Sequence, residues 1–482
     1  MNVPVALALA LGTLALGDAV LRALAPAARG FERFGLAAAA GLAASLFALY
    51  LPLAATGRAH FAPLAALQGL ALVAALPRAW KAARATTRGG WLAALLFAVG
   101  VCGVLRVAVR APFSAYDDRA IYGLKGKALW LERHVEGDLF ADLEVVHYHR
   151  DYVLGLPLLI AHAAWASDPA PADPRGLEPA PSAEAWVDRY DAVATWAPWS
   201  VLWPAALAAL AVALCVRAHS LGRLRPALLP LALPTALVFP WIPGDSWSLS
   251  GADLPLTLLI GAAAWCVVEG CETRERRSFL LAGALAAAAF LLKRDVAIAF
   301  AAAVLAGAIA RAPRPGRAAT LATLALVALA VLAARRAGAP IPDPNFEEDY
   351  LRALREGDPA RWLARLPLIA TTAWEGLVRA HMALYWSAVI LVAVPLGLVR
   401  GGPQRFLALW ILSHLLALVA VFMVTPDMVA WHVGTAFTRL LCHLALPAGM
   451  LLVAWAAGLT GRVRTELAGE RDGSGTTVPA RQ

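Results

Sequence analysis

Ionisable residues are sparse in this chain, and where they gather their types and order suit proton transfer and anion binding. The stretch SAYDDRAIYGLKGKALWLERH, from Ser114, holds Asp117 and Asp118, then Lys125 and Lys127. Aspartate is a good residue to begin a helix, so the pair reads as a solvated cap or as a base. A carboxylate can take the proton of a hydroxyl, and cations can stabilise a departing phosphate. Next come His147, His149 and Asp151, in VVHYHRDYVLGLPLL. Two histidines with one carboxylate in a loop are usually plain polar surface; a divalent metal is the alternative, and no other cofactor is called for. Lys293 and Arg294 stand between two apolar runs, where they either snorkel to the interface or meet a phosphate. Trp431 and His432 fit an interfacial aromatic belt or a ligand. Arg439 lies inside an apolar run, where a charge is costly and usually functional.

Those residues need elements to position them, and the composition says which. Of 482 residues 60% are hydrophobic and only 16% are charged, far from the quarter typical of soluble domains. The expected fold class is an all-α integral membrane protein. Apolar runs near 4–24, 34–55, 61–77, 90–110, 191–214, 226–242, 253–269, 278–292, 296–311, 317–334, 381–399, 406–424 and 436–460 give roughly 13 transmembrane helices. The net charge of +9 lies largely in short loops, which marks topology rather than a nucleic-acid partner. Five scattered cysteines without a CxxC pair support neither a zinc site nor a disulfide framework.

Every second loop is basic, as with Arg29 and Arg33, Arg217, and Arg274, Arg276 and Arg277. Those loops are expected in the cytoplasm of a cell whose inner, cytoplasmic membrane holds the chain. The N-terminus then lies outside and the 461–482 tail, expected to be disordered, inside. Residues 111–190 become one external region. In it Ile121, Leu124, Ala128 and Leu131 form a stripe suited to a helix lying along the membrane surface. The apolar segment at 152–166 is short for a span and is expected to dip into the interface and return. Residues 335–380 form a second external loop, its seven arginines balanced by seven acids, which reads as a pair of solvated helices or as a phosphate-facing surface.

In order, YDDRAIYGLKGKAL, HYHRDYVLGLPLL, SGADLPLTLL and TPDMVAWHVGTAFTRLLCHLALP resemble the pattern of GT-C type polytopic membrane glycosyltransferases. The nearest look is to the branch of dolichyl-phosphate-mannose protein mannosyltransferases and lipid A aminoarabinose transferases. The resemblance covers roughly residues 90–450: a core at 90–334 with the catalytic loop at 111–190, and C-terminal helices at 381–460. The helices of 1–89 are additional to it. It implies a sugar donor on a polyprenyl phosphate and an acceptor that is a lipid, glycan or protein, with membrane lipids the remaining partners. By position Asp117 matches the family's catalytic acid, and Asp118 stands where the family often has Glu. His149 and Asp151 match an H-x-D-Y motif, with Val153 where proline usually follows. LLKRDVAIAF occupies the place of a K-N-E-G stretch and keeps Lys293, with Asp295 and Val296 replacing its last two positions. Lys125, Lys127, Lys293, Arg294 and Arg439 are then the candidate phosphate partners, with His432 beside them. A transporter or lipid flippase is the alternative class; it would show internal repeats and interrupted helices, and no repeated segment is visible.

Overall fold

A computed structural model describes residues 2–110, 122–135, 153–169, 192–220, 251–293, 353, 355, 357–379, 382–400, 402–425 and 428–455. Among these the chain is all-helical, without a strand. Eight helices are long and apolar enough to cross a membrane, or nine if one bent pair counts as a span. The runs at 226–242, 296–311 and 317–334 lie outside the described residues, and of the remaining ten the run at 278–292 forms a helix of only 17 residues, short for a span, which leaves eight or nine.

Helices α1 (Val3–Leu24), α2 (Gly30–Thr56), α3 (Ala62–Ala85) and α4 (Arg88–Arg110) follow the first four apolar runs. They are followed by α5 (Leu124–Glu132), α6 (Gly155–Ser167), α7 (Val193–Arg217), α8 (Asp253–Thr273) and α9 (Arg276–Leu292). The C-terminal part holds two short helices, α10 (Pro359–Ala364) and α11 (Leu366–Arg379), then α12 (Ala383–Arg400), α13 (Gly402–Val424), α14 (Val429–Cys442) and α15 (Ala445–Trp455). The last two meet at 56°. Pro447 explains the break, because it has no N–H to bond the carbonyl four residues back, at His443. The run at 436–460 is therefore a bent pair and not one straight span.

Helix α2 is central, and small residues let α1 lie directly on it. A Cβ on Gly17 would overlap the Ala37 carbonyl, and one on Gly41 would overlap that of Thr13. Such close backbone approach is a common way to join helices in lipid, where burial of apolar surface gives no driving force. By contrast α4 shows Leu92, Leu95, Leu96 and Val99 mostly exposed, as a helix bordering hydrocarbon would.

Contacts sort the helix ends into two sets. At one end Asn2 N donates to Thr195 Oγ1 (3.4 Å), Ser167 Oγ donates to the same oxygen (2.9 Å), and Ala59 N donates to Arg133 O (2.6 Å). At the other, Arg277 Nη1 donates to Ala23 O (3.2 Å), and Trp265 Nε1 donates to Glu32 (3.0 Å). Asn2, Ala59, Arg133, Ser167 and Thr195, all expected outside, thus fall in one set, and Ala23, Glu32 and Arg277, expected near the inner side, in the other.

Two elements expected to be external differ from their expected surface positions. Helix α5 is buried from Leu124 to Trp130, lysines included, and α6 is buried from Gly155 to Ala164. The reason is local. Gly126 lets α5 press on Ile160 and the Pro157 carbonyl of α6, so both helices become core and run side by side. Trp130 Nε1 then donates to Asp168 O (2.9 Å), and Arg133 donates to Pro169 O (2.7 Å).

Candidate functional site

Asp253 begins α8, and its carboxylate is the point on which three side chains from α9 and α14 converge. Lys293, just past the end of α9, brings Nζ to 3.4 Å from Oδ1. Arg439, on α14, brings Nε to 3.3 Å from Oδ2. His443, at the break between α14 and α15, has Nε2 3.2 Å from Oδ1. The Lys293 and His443 side chains are almost fully buried, and Asp253 keeps 17% of its exposure and Arg439 25%. The arrangement follows from helix geometry. Arg439 and His443 are four apart and share a face of α14, while Lys293 follows directly on the last apolar turn of α9.

Of the residues expected to act, Lys293 and Arg439 are thus brought to one carboxylate. His432 lies two turns before Arg439 on the same face. Its Nδ1 is 2.7 Å from Thr425 Oγ1, and its ring packs edge-on to Phe422. Lys125 and Lys127 are fully buried on α5, and each is engaged by a neighbouring group. Asp117, Asp118, His149, Asp151 and Arg294 lie outside the described residues. Among the described residues no group of three or more His, Cys, Asp or Glu side chains is placed to hold a metal ion.

Helices α5 and α6, from the segment expected to be external, nonetheless reach this region through the described backbone. The first turn of α6 is pressed on the end of α9, since a Cβ on Gly155 would overlap the carbonyl of Leu291, two residues before Lys293. The first turn of α5, in turn, lies on the first turn of α6 through Gly126 and Pro157. On the C-terminal side, Arg365 Nη1 donates to the carbonyls of Met423 (2.7 Å) and Thr425 (3.0 Å). This satisfies orphan acceptors at the end of α13 and fixes the turn that leads into α14. Helix α11 packs along α14, and its exposed side mixes Leu368, Trp374 and Val378 with the Glu375–Arg379 ion pair.

Asp253 and His443 were not singled out from the sequence. A signal existed for each. Asp253 is a lone carboxylate opening an apolar span, and His443 stands one turn after Arg439, in RLLCH. Ionisable residues at such depth call for partners, and these two are each other's.

At the opposite ends of these helices a cavity of about 520 Å³ opens between the α1–α2 turn, α7, α8 and α9, lined among others by Arg29, Glu32, Arg217, Trp265 and Glu269. None of the residues expected to act lines it.

Chemically, two cations and an imidazole on one carboxylate form a site that could exchange that carboxylate for another anion. No family model, curated protein or solved structure matches this chain.

Proposed function

We propose that the chain is a membrane glycosyltransferase that moves a sugar from a polyprenyl-phosphate donor to an acceptor hydroxyl at the outer face of the cytoplasmic membrane. In the step itself, Asp117 takes the hydroxyl proton, the acceptor oxygen bonds to the anomeric carbon, and the bond from that carbon to phosphate breaks. The electron pair leaves with the polyprenyl phosphate, which goes from a singly charged diester to a more highly charged monoester. Cations that meet this added charge stabilise the transition state more than the ground state. Lys293 and Arg439 are assigned that role, with Lys125, Lys127 and Arg294 as further candidates and His149, Asp151 and His432 near the bound donor.

The observation that supports this reading is the gathering of Lys293, Arg439 and His443 on Asp253, beside the end of α9 on which α6 is seated. The test is sugar transfer by the purified full-length chain in nanodiscs, using polyprenyl-phosphate sugars. Asp117→Asn is expected to slow transfer at least ~100-fold, the usual cost of a lost general base, with donor binding retained. Transfer at near wild-type rate by that variant would remove the mechanism.

One observation favours the second reading, a lipid or solute transporter. The break at His443 puts an interrupted helix next to intramembrane charge, as transporters do. In that case labelled substrate would cross proteoliposomes unchanged, and Asp117→Asn would not matter.

A further inference from the structure

The turn between α3 and α4 carries charge that the chain does not answer. Arg78, Lys81 and Arg84 lie in the last turns of α3, and Arg88 begins α4. All four side chains are exposed, and from Phe34 to Tyr116 the sequence has no acidic residue. Among the described residues no carboxylate pairs with any of the four; Arg84 instead lies over the Trp80 ring, 4.6 Å from its centre. The neighbouring basic turns carry their own acids. Arg22 and Arg33 share Asp18 where α1 turns into α2, and Arg217 pairs with Glu269 and Glu272 at the end of α8. Loop cations set topology whether or not acids accompany them, so topology does not account for the difference between these turns.

The surroundings of the four cations are apolar and aromatic. Trp80 and Trp91 stand among them and are mostly exposed, the combination of indole and cation found where a helix leaves the hydrocarbon. Deeper along the helices, Leu70 and Val73 of α3 and Leu92, Leu95, Leu96 and Val99 of α4 are exposed as well. Only Thr86 and Thr87 join α3 to α4, yet the two helices do not pack along each other. Each is held elsewhere. The buried residues of α3 are Leu64 and Gln68, near its far end, where the Gln68 amide donates to Thr13 Oγ1 (3.1 Å). Phe97 of α4 meets Phe31 and Phe34 of α2, with 5.5 Å between ring centres in both pairs. A partner suited to this corner is therefore anionic at one end and apolar at the other.

We propose that the corner between α3 and α4 binds an anionic phospholipid, its phosphate on Arg78, Lys81, Arg84 and Arg88 and its chains on the exposed apolar stripes of the two helices. The leaflet is the one this turn meets, expected to be the cytoplasmic one. A soluble anion would satisfy the cations and leave the stripes without use, whereas a zwitterionic lipid would bring a cation of its own to face them. Guanidinium groups suit the phosphate because their planar fork binds two of its oxygens at once, and clustered Lys and Arg beside a span attract anionic headgroups. The proposal uses none of the residues assigned to sugar transfer, so it stands or falls apart from that reading.

To test it, phosphatidylglycerol and phosphatidylcholine with the same chains would compete for the full-length protein in detergent, and native mass spectrometry would count the lipids retained. Phosphatidylglycerol is expected to be retained in clear preference. Each Lys or Arg near an anionic headgroup contributes about fivefold in affinity, so Arg78→Gln, Lys81→Gln, Arg84→Gln and Arg88→Gln should each weaken phosphatidylglycerol by roughly that factor and leave phosphatidylcholine unchanged. Three cations remain in every one of these variants, which keeps the turn on its side of the membrane, and the melting temperature checks folding. Arg274→Gln and Arg276→Gln, on another exposed basic turn, should not alter the preference. Equal retention of the two lipids by the wild type would overturn the proposal. An equal effect of the Arg274 and Arg276 variants would also overturn it, by reducing the preference to net charge. So would displacement of phosphatidylglycerol by an equal concentration of a soluble dialkyl phosphate, which would mark an anion site without a lipid, or a dimer that forms through this corner and excludes the lipid.

Discussion

The two ends of α8 carry ion clusters of opposite design. At its start one carboxylate, Asp253, meets two cations and an imidazole at 3.2–3.4 Å, with side chains 4–25% exposed. Near its other end one cation, Arg217, is held by two carboxylates, Glu269 at 2.7 Å and Glu272. The side chains there are 35%, 26% and 49% exposed. The short Glu269 contact in the exposed cluster indicates a clamp with its geometry already satisfied. Long contacts in the buried one indicate charges held together by confinement, and such charges have more to gain from a new partner. Burial raises the cost of breaking a pair, and contact length shows how far the pair is already optimised.

The largest effect expected from this contrast belongs to Asp253. Asp253→Leu would leave Lys293 and Arg439 in a poorly hydrated place without their shared carboxylate. Breaking a buried pair from one side typically costs ~3–5 kcal/mol, so the variant should melt well below the wild type or fail to accumulate. Equal stability would mean that Asp253 does not hold α8, α9 and α14 together.

Next in size is Arg439. Hydrogen bonds to charged groups contribute ~1.5–3 kcal/mol, so Arg439→Gln should weaken dialkyl phosphate binding by roughly ten- to hundredfold while the protein still inserts. Arg439→Lys should recover part of that loss, because a point charge survives and the planar fork does not. A protein that is simply unstable, with no selective loss of binding, would assign Arg439 to structure instead.

Gly155→Ala probes the route from α5 and α6 to the cluster. Its methyl would overlap the Leu291 carbonyl, and overpacking of this kind costs ~1–3 kcal/mol. The expected outcome is a lower melting temperature together with weaker anion binding, since the shift falls on the turn leading to Lys293. An unchanged affinity would separate α6 from the site.

Much of this architecture is legible in the sequence, and the exceptions have physical causes. Runs of about 20 apolar residues announce α1, α2 and α4 to within a few positions, because lipid admits few alternatives to a helix, while α3, expected over 61–77, runs on to Ala85. Helices α5 and α6 are harder to place. The stripe of Leu124, Ala128 and Leu131 assumes water on the far side, and a single glycine, Gly126, removes that water by admitting α6. Lys125 and Lys127, candidate phosphate partners in the sequence, are buried for the same reason. The bend in the last span has a written signal in Pro447, which its apolar surroundings conceal. For the site, Lys293 and Arg439 stand out as charges in oil. Asp253 does not, because an aspartate opening a helix has an ordinary use as a cap; only the three side chains meeting on it give it another.

The smallest effect expected is at Arg217, and it is the one that most sharpens the comparison. Arg217→Gln removes the cation from between Glu269 and Glu272 and leaves two like charges on one helix face, with Glu32 nearby under the Trp265 N–H. Despite the short contact, exposed pairs contribute only ~0–1 kcal/mol, since water and salt stand in for the lost partner. Some further loss comes from packing, because the guanidinium lies 5.9 Å from the centre of the Trp265 ring and its stem covers apolar surface. The melting temperature should therefore fall slightly. The ion-pair part of that fall should shrink as salt is raised through the range where the screening length drops below ~10 Å. Dialkyl phosphate binding at the other end of α8 should not change. A loss as large as that of Asp253→Leu, insensitive to salt, would mean that contact length and not burial sets the strength of these clusters, and the distinction between the two ends of α8 would be lost.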